Sequence, residues 1–184
     1  MTFSDLLRTR QSVRKYDPRP VETEKLQALI EAVRLSPSAC NSQPWTLILV
    51  TEPELRQQIA QATFNAAIAF NKFVPEAPAL AVLTLEKPTL TSKVGGLIKH
   101  REFPLIDIGV AAAQFCLQAA ELGLGTCMIG WFDEKRIQTL LHIPRKTRIG
   151  LLITLGYPAK GYALRPKIRK GPSEMSRFND YGGT

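Results

Sequence analysis

The chain has 184 residues, 45% of them hydrophobic, and its 24 Lys and Arg against 16 Asp and Glu give a formal charge of +8. That length and apolar content suffice for one domain with its own core and leave little for a second, so residues 1–184 are expected to form a single domain. No uninterrupted apolar run approaches a membrane span, the N-terminus lacks the apolar middle of a signal peptide, and three cysteines without CxxC spacing (Cys40, Cys116, Cys127) argue against disulfides and zinc; a cytoplasmic protein is the expectation.

Taken in chain order, Ser4 is placed to cap a short helix reaching about Arg10, with Leu6 and Leu7 inward. In the following RQSVRKYD, an extended backbone puts Arg10, Ser12 and Arg14 on one side at i, i+2 and i+4. Two guanidinium forks and a hydroxyl suit a phosphate, although a solvated basic turn has the same spacing. Residues 21–35 read as an amphipathic helix with Leu26, Leu29, Ile30 and Val33 on one face. SPSACNSQPW follows, where Pro37 and Pro44 break helices; its Ser and Asn groups suit a binding loop or, the plainer reading, a tight connection satisfying its own backbone. Residues 47–50 make a buried strand, 54–69 a helix with Leu55, Ile59, Ala62 and Ala66 on one face, and APALAVLTL a central strand. Residues 86–104, polar with two prolines and a Gly-Gly pair, have the composition of a lid or substrate rim.

Residues 107–132, DIGVAAAQFCLQAAELGLGTCMIGWF, organise the rest. Asp107 is expected as N-cap, Ile106 and Val110 as a staple across the first turn, and Gly123 as a left-handed stop. Without charge between Asp107 and Glu121 and with apolar residues on all sides, this helix should be buried on most of its surface. Its small residues, Gly109, Ala111, Ala112, Ala113, Ala119 and Ala120, would let another backbone approach, including the same helix of a second subunit. A short strand through Met128 and Ile129 then ends at Gly130, which is placed for a flat ligand. Asp133 caps a helix with Ile137, Leu140 and Leu141 inward, and residues 149–155 form a buried strand. From residue 158 to 184 no apolar periodicity remains. Pro166 and Pro172 keep this tail extended, and Lys167 and Arg169 share one side of it.

Eleven of the 24 basic residues lie within residues 1–20 and 160–177. Neither cluster interleaves aromatics or forms a long basic helix face, so an anion shared by both chain ends accounts for the charge better than nucleic acid does. GLGTCMIG follows a helix and precedes a strand, the reverse of the dinucleotide fingerprint, and GxSxG, HExxH and P-loop motifs are absent. His100 and His142 have no partner at metal-ligand spacing.

Together RQSVRKYD, SPSACNSQPW, APALAVL, DIGVAAAQFCLQAAELGLGTCMIGWFDE, IGLLITLGYP and RPKIRK, in this order from about residue 6 to residue 178, resemble the FMN-dependent nitroreductase family in its compact, single-domain form. The resemblance implies an α+β sandwich: a mostly antiparallel central sheet flanked by helices, assembled as a homodimer with two FMN sites at the subunit interface and with the C-terminal tail reaching along the partner. By position it implies that Arg10, Gln11, Ser12 and Arg14, with Lys167 and Arg169, contact the phosphate and ribityl chain. It places Pro37, Ser38, Ala39, Asn41 and Gln43 along the isoalloxazine from the other subunit, Asn71 near the pyrimidine edge, and Met128, Ile129 and Gly130 on the opposite ring face, the Gly130 amide toward flavin N5. Many relatives carry an acidic residue at the position of Gly130 and a small one at Trp131; here the order is small then large, so acceptor choice does not carry across.

The implied activity is a ping-pong transfer of hydride from NADH or NADPH to a nitroaromatic or quinone. It agrees with the missing catalytic motif, because the flavin supplies the redox chemistry and no side chain need act as acid or base. Reductive dehalogenation, enone reduction and flavin cleavage on the same scaffold are alternatives within enzymes. A flavin-storing or redox-sensing protein is the alternative outside them. The partners expected are a second copy of the chain and a small molecule, with neither nucleic acid nor membrane.

Overall fold

The computed structural model describes residues 2–66, 69–87 and 101–181. Its frame is one sheet of four strands, β1 (Leu47–Val50), β2 (Ala79–Leu85), β3 (Gly125–Ile129) and β4 (Arg148–Gly156), in the order β1-β2-β4-β3 with every pairing antiparallel. The unbroken apolar runs LILV and ALAVL predict strands covered on both faces, and β2 is buried from Ala79 to Thr84. Alternation divides its side chains: Leu80 and Val82 join one core cluster, Ala79, Ala81 and Leu83 the other. A bulge opposite Leu83 and Thr84 resets the register of β4, so that Ile149 faces the same side as Leu152.

Six helices complete the described residues: α1 (Phe3–Thr9), α2 (Thr23–Arg34), α3 (Pro53–Gln61), α4 (Phe103–Glu121), α5 (Glu134–Leu140) and α6 (Pro172–Met175). Leu29 and Val33 of α2 and Ala111, Phe115 and Ala119 of α4 cover one face of the sheet; Ile59 of α3 and Ile137 of α5, with Val13 and Tyr16, cover the other. This is the expected α+β sandwich.

Several expectations need correction. Thr2, not Ser4, caps α1 in a reciprocal box with Asp5, and no residue of α1 is buried. Leu7 is in fact exposed. The third helix stops at Gln61 rather than 69, leaving Ala66 exposed, and Glu52 caps its start through the Glu54 and Leu55 amides. Helix α4 begins at Phe103, with Glu102 at the cap and Pro104 in the first turn, where a fixed φ and a missing N–H are tolerated. Asp107 therefore lies inside the helix, and Ile106, expected to staple it, is 56% exposed. Gly123, at φ +75, does stop the helix. Nor is α4 buried on most sides: Leu105, Ile106, Gly109 and Ala113 leave an uncovered apolar face. With 19 residues and a mean hydropathy of 1.4 it is long and apolar enough to cross a membrane, which the sequence reading had not allowed for. Its packing against the sheet is that of a core helix. The tail is not wholly extended, since α6 interrupts it, and most of the expected 86–104 excursion, with His100, lies outside the described residues.

Candidate functional site

Residues 12–17 bind the edge of the sheet and the chain leaving β4. Ser12 bridges Thr126 in parallel, the Val13 N–H donates to Thr126 O at 2.8 Å, the Asp17 N–H to Tyr157 O at 2.9 Å, and the Ala159 N–H returns to Lys15 O at 3.0 Å. Val13 packs over Gly125 so tightly that a Cβ there would stand 2.6 Å from Val13 Cγ2. Tyr16 is buried, its hydroxyl 2.9 Å from Val13 O and 2.6 Å from Thr154 Oγ1, and burial pushes its phenol pKa up. The extended segment is thus held at its inward residues, which leaves Arg10, Ser12 and Arg14 for the surface.

The two ends of the chain meet there. Arg10, Gln11, Ser12 and Arg14 line, with residues 165–169, a cleft of about 280 Å3 in which no described lining residue is acidic. Gln11 clamps the tail in place: Nε2 donates to Ala163 O and Oε1 accepts the Arg165 N–H, each at 3.1 Å. Arg165 donates to Ser12 O, Lys167 Nζ to Arg10 O, and the Arg14 N–H to the Tyr162 hydroxyl at 3.1 Å, while the Arg14 guanidinium lies over Phe73. Burial, and then the charges of Arg10, Arg169 and Arg165, hold the Lys167 ammonium below the usual lysine range. Among the described residues none of these five cations has a carboxylate partner. Like charges converging without counter-ions repel one another, and an oxyanion with several acceptor oxygens relieves this directly. The cluster therefore fits a phosphate. Arg165 is the member the sequence reading passed over; with Lys167 and Arg169 it completes an i, i+2, i+4 run in RPKIR, the same signal as at the N-terminus.

A second group surrounds the turn at Ala39–Asn41, where Cys40, Asn41 and Gln43 hold left-handed backbone at φ 52, 50 and 45. Such conformations cost free energy in residues with a Cβ and persist where the surroundings impose them. Here Ser38 Oγ accepts the Gln43 N–H at 2.8 Å, Gln43 Nε2 donates to both Asn41 O and Oδ1 at 3.1 Å, and Asp107 Oδ1 accepts the Ala39 N–H at 3.0 Å. Asp107 is 5% exposed, and its Oδ2 has no partner. Pro37, Asn41 and Gln43 remain exposed. The loop does satisfy its own backbone, as the plainer reading expects, yet in a strained form that presents polar groups outward.

A third group is the end of β3. Ile129 is buried, Met128 is 43% exposed, and Gly130 is exposed with open space where a Cβ would stand. Asn71 does not join an open site: it is 4% exposed, and its amide donates to Thr63 O at 3.0 Å and to Trp131 O at 3.2 Å, bracing the end of α3 against the exit of β3. Among the described residues no cluster of three His, Cys, Asp or Glu side chains is placed for a metal ion.

Within one chain the structure unites the N-terminal and tail cations but not the 37–43 loop. That loop is tied to Asp107, whereas Arg10 and Gln11 line a smaller cavity with Ala120 and Gly123 at the far end of α4. At 1.5 Å per residue, Asp107 and Ala120 are about 20 Å apart along the helix.

The model of the Nitroreductase family matches residues 7–157. The oxygen-insensitive NADPH nitroreductase of Helicobacter acinonychis is 29% identical, over 84% of this chain and 87% of its own. Among solved structures, a nitroreductase family protein from Clostridium novyi aligns with a TM-score of 0.77 at 31% identity, covering 87% of each chain. An FMN-dependent nitroreductase from Clostridium difficile aligns with a TM-score of 0.75 at 26% identity, over 96% of this chain and 98% of that one.

Proposed function

The chain belongs to the nitroreductase family, and on that premise we propose that it is an FMN-dependent oxidoreductase that passes reducing equivalents from NADH or NADPH to a small electron-poor acceptor, a nitroaromatic or a quinone. The observation that carries this reading is the five-cation cleft built from both ends of the chain, which suits the phosphate of FMN and has no counter-ion among the described residues.

In this reading Arg10, Arg14, Lys167 and Arg169, with Arg165, hold the phosphate, and Ser12 and Gln11 contact the adjoining chain of the cofactor. Met128 and Ile129 bring the end of β3 to the ring system, and the Gly130 N–H serves flavin N5. The absence of a side chain at Gly130 leaves room for a flat group to approach its backbone. Bound FMN supplies the redox chemistry, hydride being accepted from the nicotinamide and delivered to the acceptor in alternate half-reactions. Pro37, Ser38, Ala39, Asn41 and Gln43 cover the ring from a second subunit. Asn71 acts through Trp131, by fixing the strand exit on which Gly130 sits.

A homodimer with the uncovered face of α4 at its centre completes such a site. A two-fold axis that packs two α4 helices antiparallel sets the Asp107 end of one beside the Ala120 end of the other, and so carries the 37–43 loop across to the partner's cation cleft. Leu164, Ile168, Met175, Phe178 and Tyr181 leave the tail's large apolar side chains exposed, and a partner surface gives them cover.

The test is spectroscopic. Purified protein supplied with FMN should be yellow, lose its colour with NADPH under anaerobic conditions, and regain it with a nitroaromatic. Protein that takes up no FMN contradicts the proposal, and bleaching that no acceptor reverses points to a sensor without turnover.

A further inference from the structure

Beside the end of β3 lies a second cleft, of about 320 Å3, between the C-terminal end of α3 and the chain leaving the strand. Its walls are fastened together: the Asp133 N–H donates to Ala62 O at 2.7 Å, and the buried Asn71 amide joins Thr63 O to Trp131 O. It is therefore present before anything binds. Phe64, Trp131 and Phe132 supply aromatic surface, Gln61 and Asn65 a polar edge, and Arg136 the one cation among the described lining residues. Trp131, 54% exposed, directly follows Gly130.

The charges in this cleft are not equivalent. Asp133 caps α5, its Oδ1 accepting the Arg136 N–H at 3.1 Å. Among the described residues no hydrogen bond or ion pair engages the guanidinium of Arg136, an exposed residue that lines the cleft. A planar aromatic wall next to an unpaired guanidinium suits a flat, electron-poor ring carrying an anionic substituent: the ring stacks offset on the indole, and a carboxylate takes two parallel N–H bonds from the arginine. The volume, at the small end of ligand pockets, admits a single ring rather than a nucleotide.

We propose that this cleft is an acceptor subsite selecting aromatic acceptors that bear an anionic group, with Trp131 as the stacking face and Arg136 as the anion contact. The proposal rests on the reading of the protein as a flavin oxidoreductase and names the class of acceptor for it.

The experiment uses the FMN-loaded protein, reduced anaerobically by dithionite so that nucleotide use is not involved, and follows flavin reoxidation by 4-nitrobenzoate and by its neutral isostere 4-nitrobenzamide. The two differ in intrinsic ease of reduction, so the informative quantity is their rate ratio compared between wild type and Arg136→Gln. The ratio should shift against nitrobenzoate by about tenfold in Arg136→Gln, with the nitrobenzamide rate unchanged, and Arg136→Lys should recover part of it. The helix cap survives either substitution because it uses the backbone N–H of residue 136. A ratio equal in wild type and Arg136→Gln overturns the proposal. Independently of flavin, nitrobenzoate should quench Trp131 fluorescence, with Trp131→Phe as the blank for Trp45, at about tenfold lower concentration in wild type than in Arg136→Gln. Equal quenching likewise overturns the subsite. Failure to take up FMN, with the quenching difference intact, counts against the oxidoreductase reading instead.

Discussion

Lys167 offers a test in which both the size and the pH dependence follow from the structure. It is half-buried, donates to Arg10 O, and stands among three guanidinium groups. A hydrogen bond to a charged partner contributes about 1.5–3 kcal/mol, and partial exposure places Lys167 at the lower end, so Lys167→Ala should weaken FMN binding about tenfold near pH 7. Arg10→Ala should act similarly, and the double variant should fall short of the sum because the two share one anion. In the flavin-free protein burial and the neighbouring cations depress the lysine pKa; a phosphate dianion beside it acts the other way, so the pKa is higher in the complex. Between the two values binding takes up a proton, and affinity falls as pH rises, by up to about tenfold per pH unit. Below that window the lysine is charged in both states, and only the second ionisation of the phosphate, at about pH 6, changes affinity, strengthening it as pH rises. Arginine stays charged up to about pH 12, so Lys167→Arg should abolish the alkaline decline. Flavin fluorescence titrations from neutral to alkaline pH decide the matter: a flat alkaline limb in wild type, or a decline unchanged in Lys167→Arg, refutes the reasoning.

Gly125→Ala drives a Cβ into Val13, and overpacking of this kind costs about 1–3 kcal/mol; calorimetry should show a lower Tm, and FMN affinity should fall with it because Val13 anchors the segment carrying Ser12 and Arg14. Ala113→Glu places a charge on the uncovered face of α4, and light scattering should find monomers that have lost FMN, whereas an unchanged mass would remove α4 from the subunit seam. Glu134 accepts the Ile149 N–H at 2.7 Å and pairs with Arg148 at 2.8 Å; burial raises its pKa, but these two contacts outweigh that and leave it below the usual range. Its contribution to stability is thus complete above the ordinary glutamate pKa and is lost as pH falls through the depressed one, so Glu134→Gln should flatten part of the acid limb in a plot of denaturation midpoint against pH.

The strands were legible in the sequence because unbroken apolar runs such as LILV and ALAVL admit few other readings, and the grouping of cations because extended backbone turns i, i+2, i+4 spacing into a shared side. Boundaries were less so. The start of α4 was misplaced because Asp107, the best local capping residue, is held by a contact outside its own helix, the Ala39 N–H, which no local pattern reveals. Asn71 shows the same limit: its amide joins the distant Thr63 and Trp131 carbonyl groups, contacts that no local pattern announces. The 37–43 loop was legible as a loop but its strain was not, because Cys40, Asn41 and Gln43 are held left-handed without a glycine to mark them. Arg165 was readable from spacing, since it precedes Lys167 and Arg169 at the same two-residue interval.

The central claim is that a phosphate gripped by both ends of the chain anchors the cofactor, and riboflavin, which is FMN without that phosphate, tests it most directly. Titration of flavin-free protein with each, followed by fluorescence quenching at one salt concentration, should give an affinity for FMN at least about 100-fold higher, the sum of two or more charge-assisted contacts. Equal affinities for the two flavins, or binding of neither, would contradict the account.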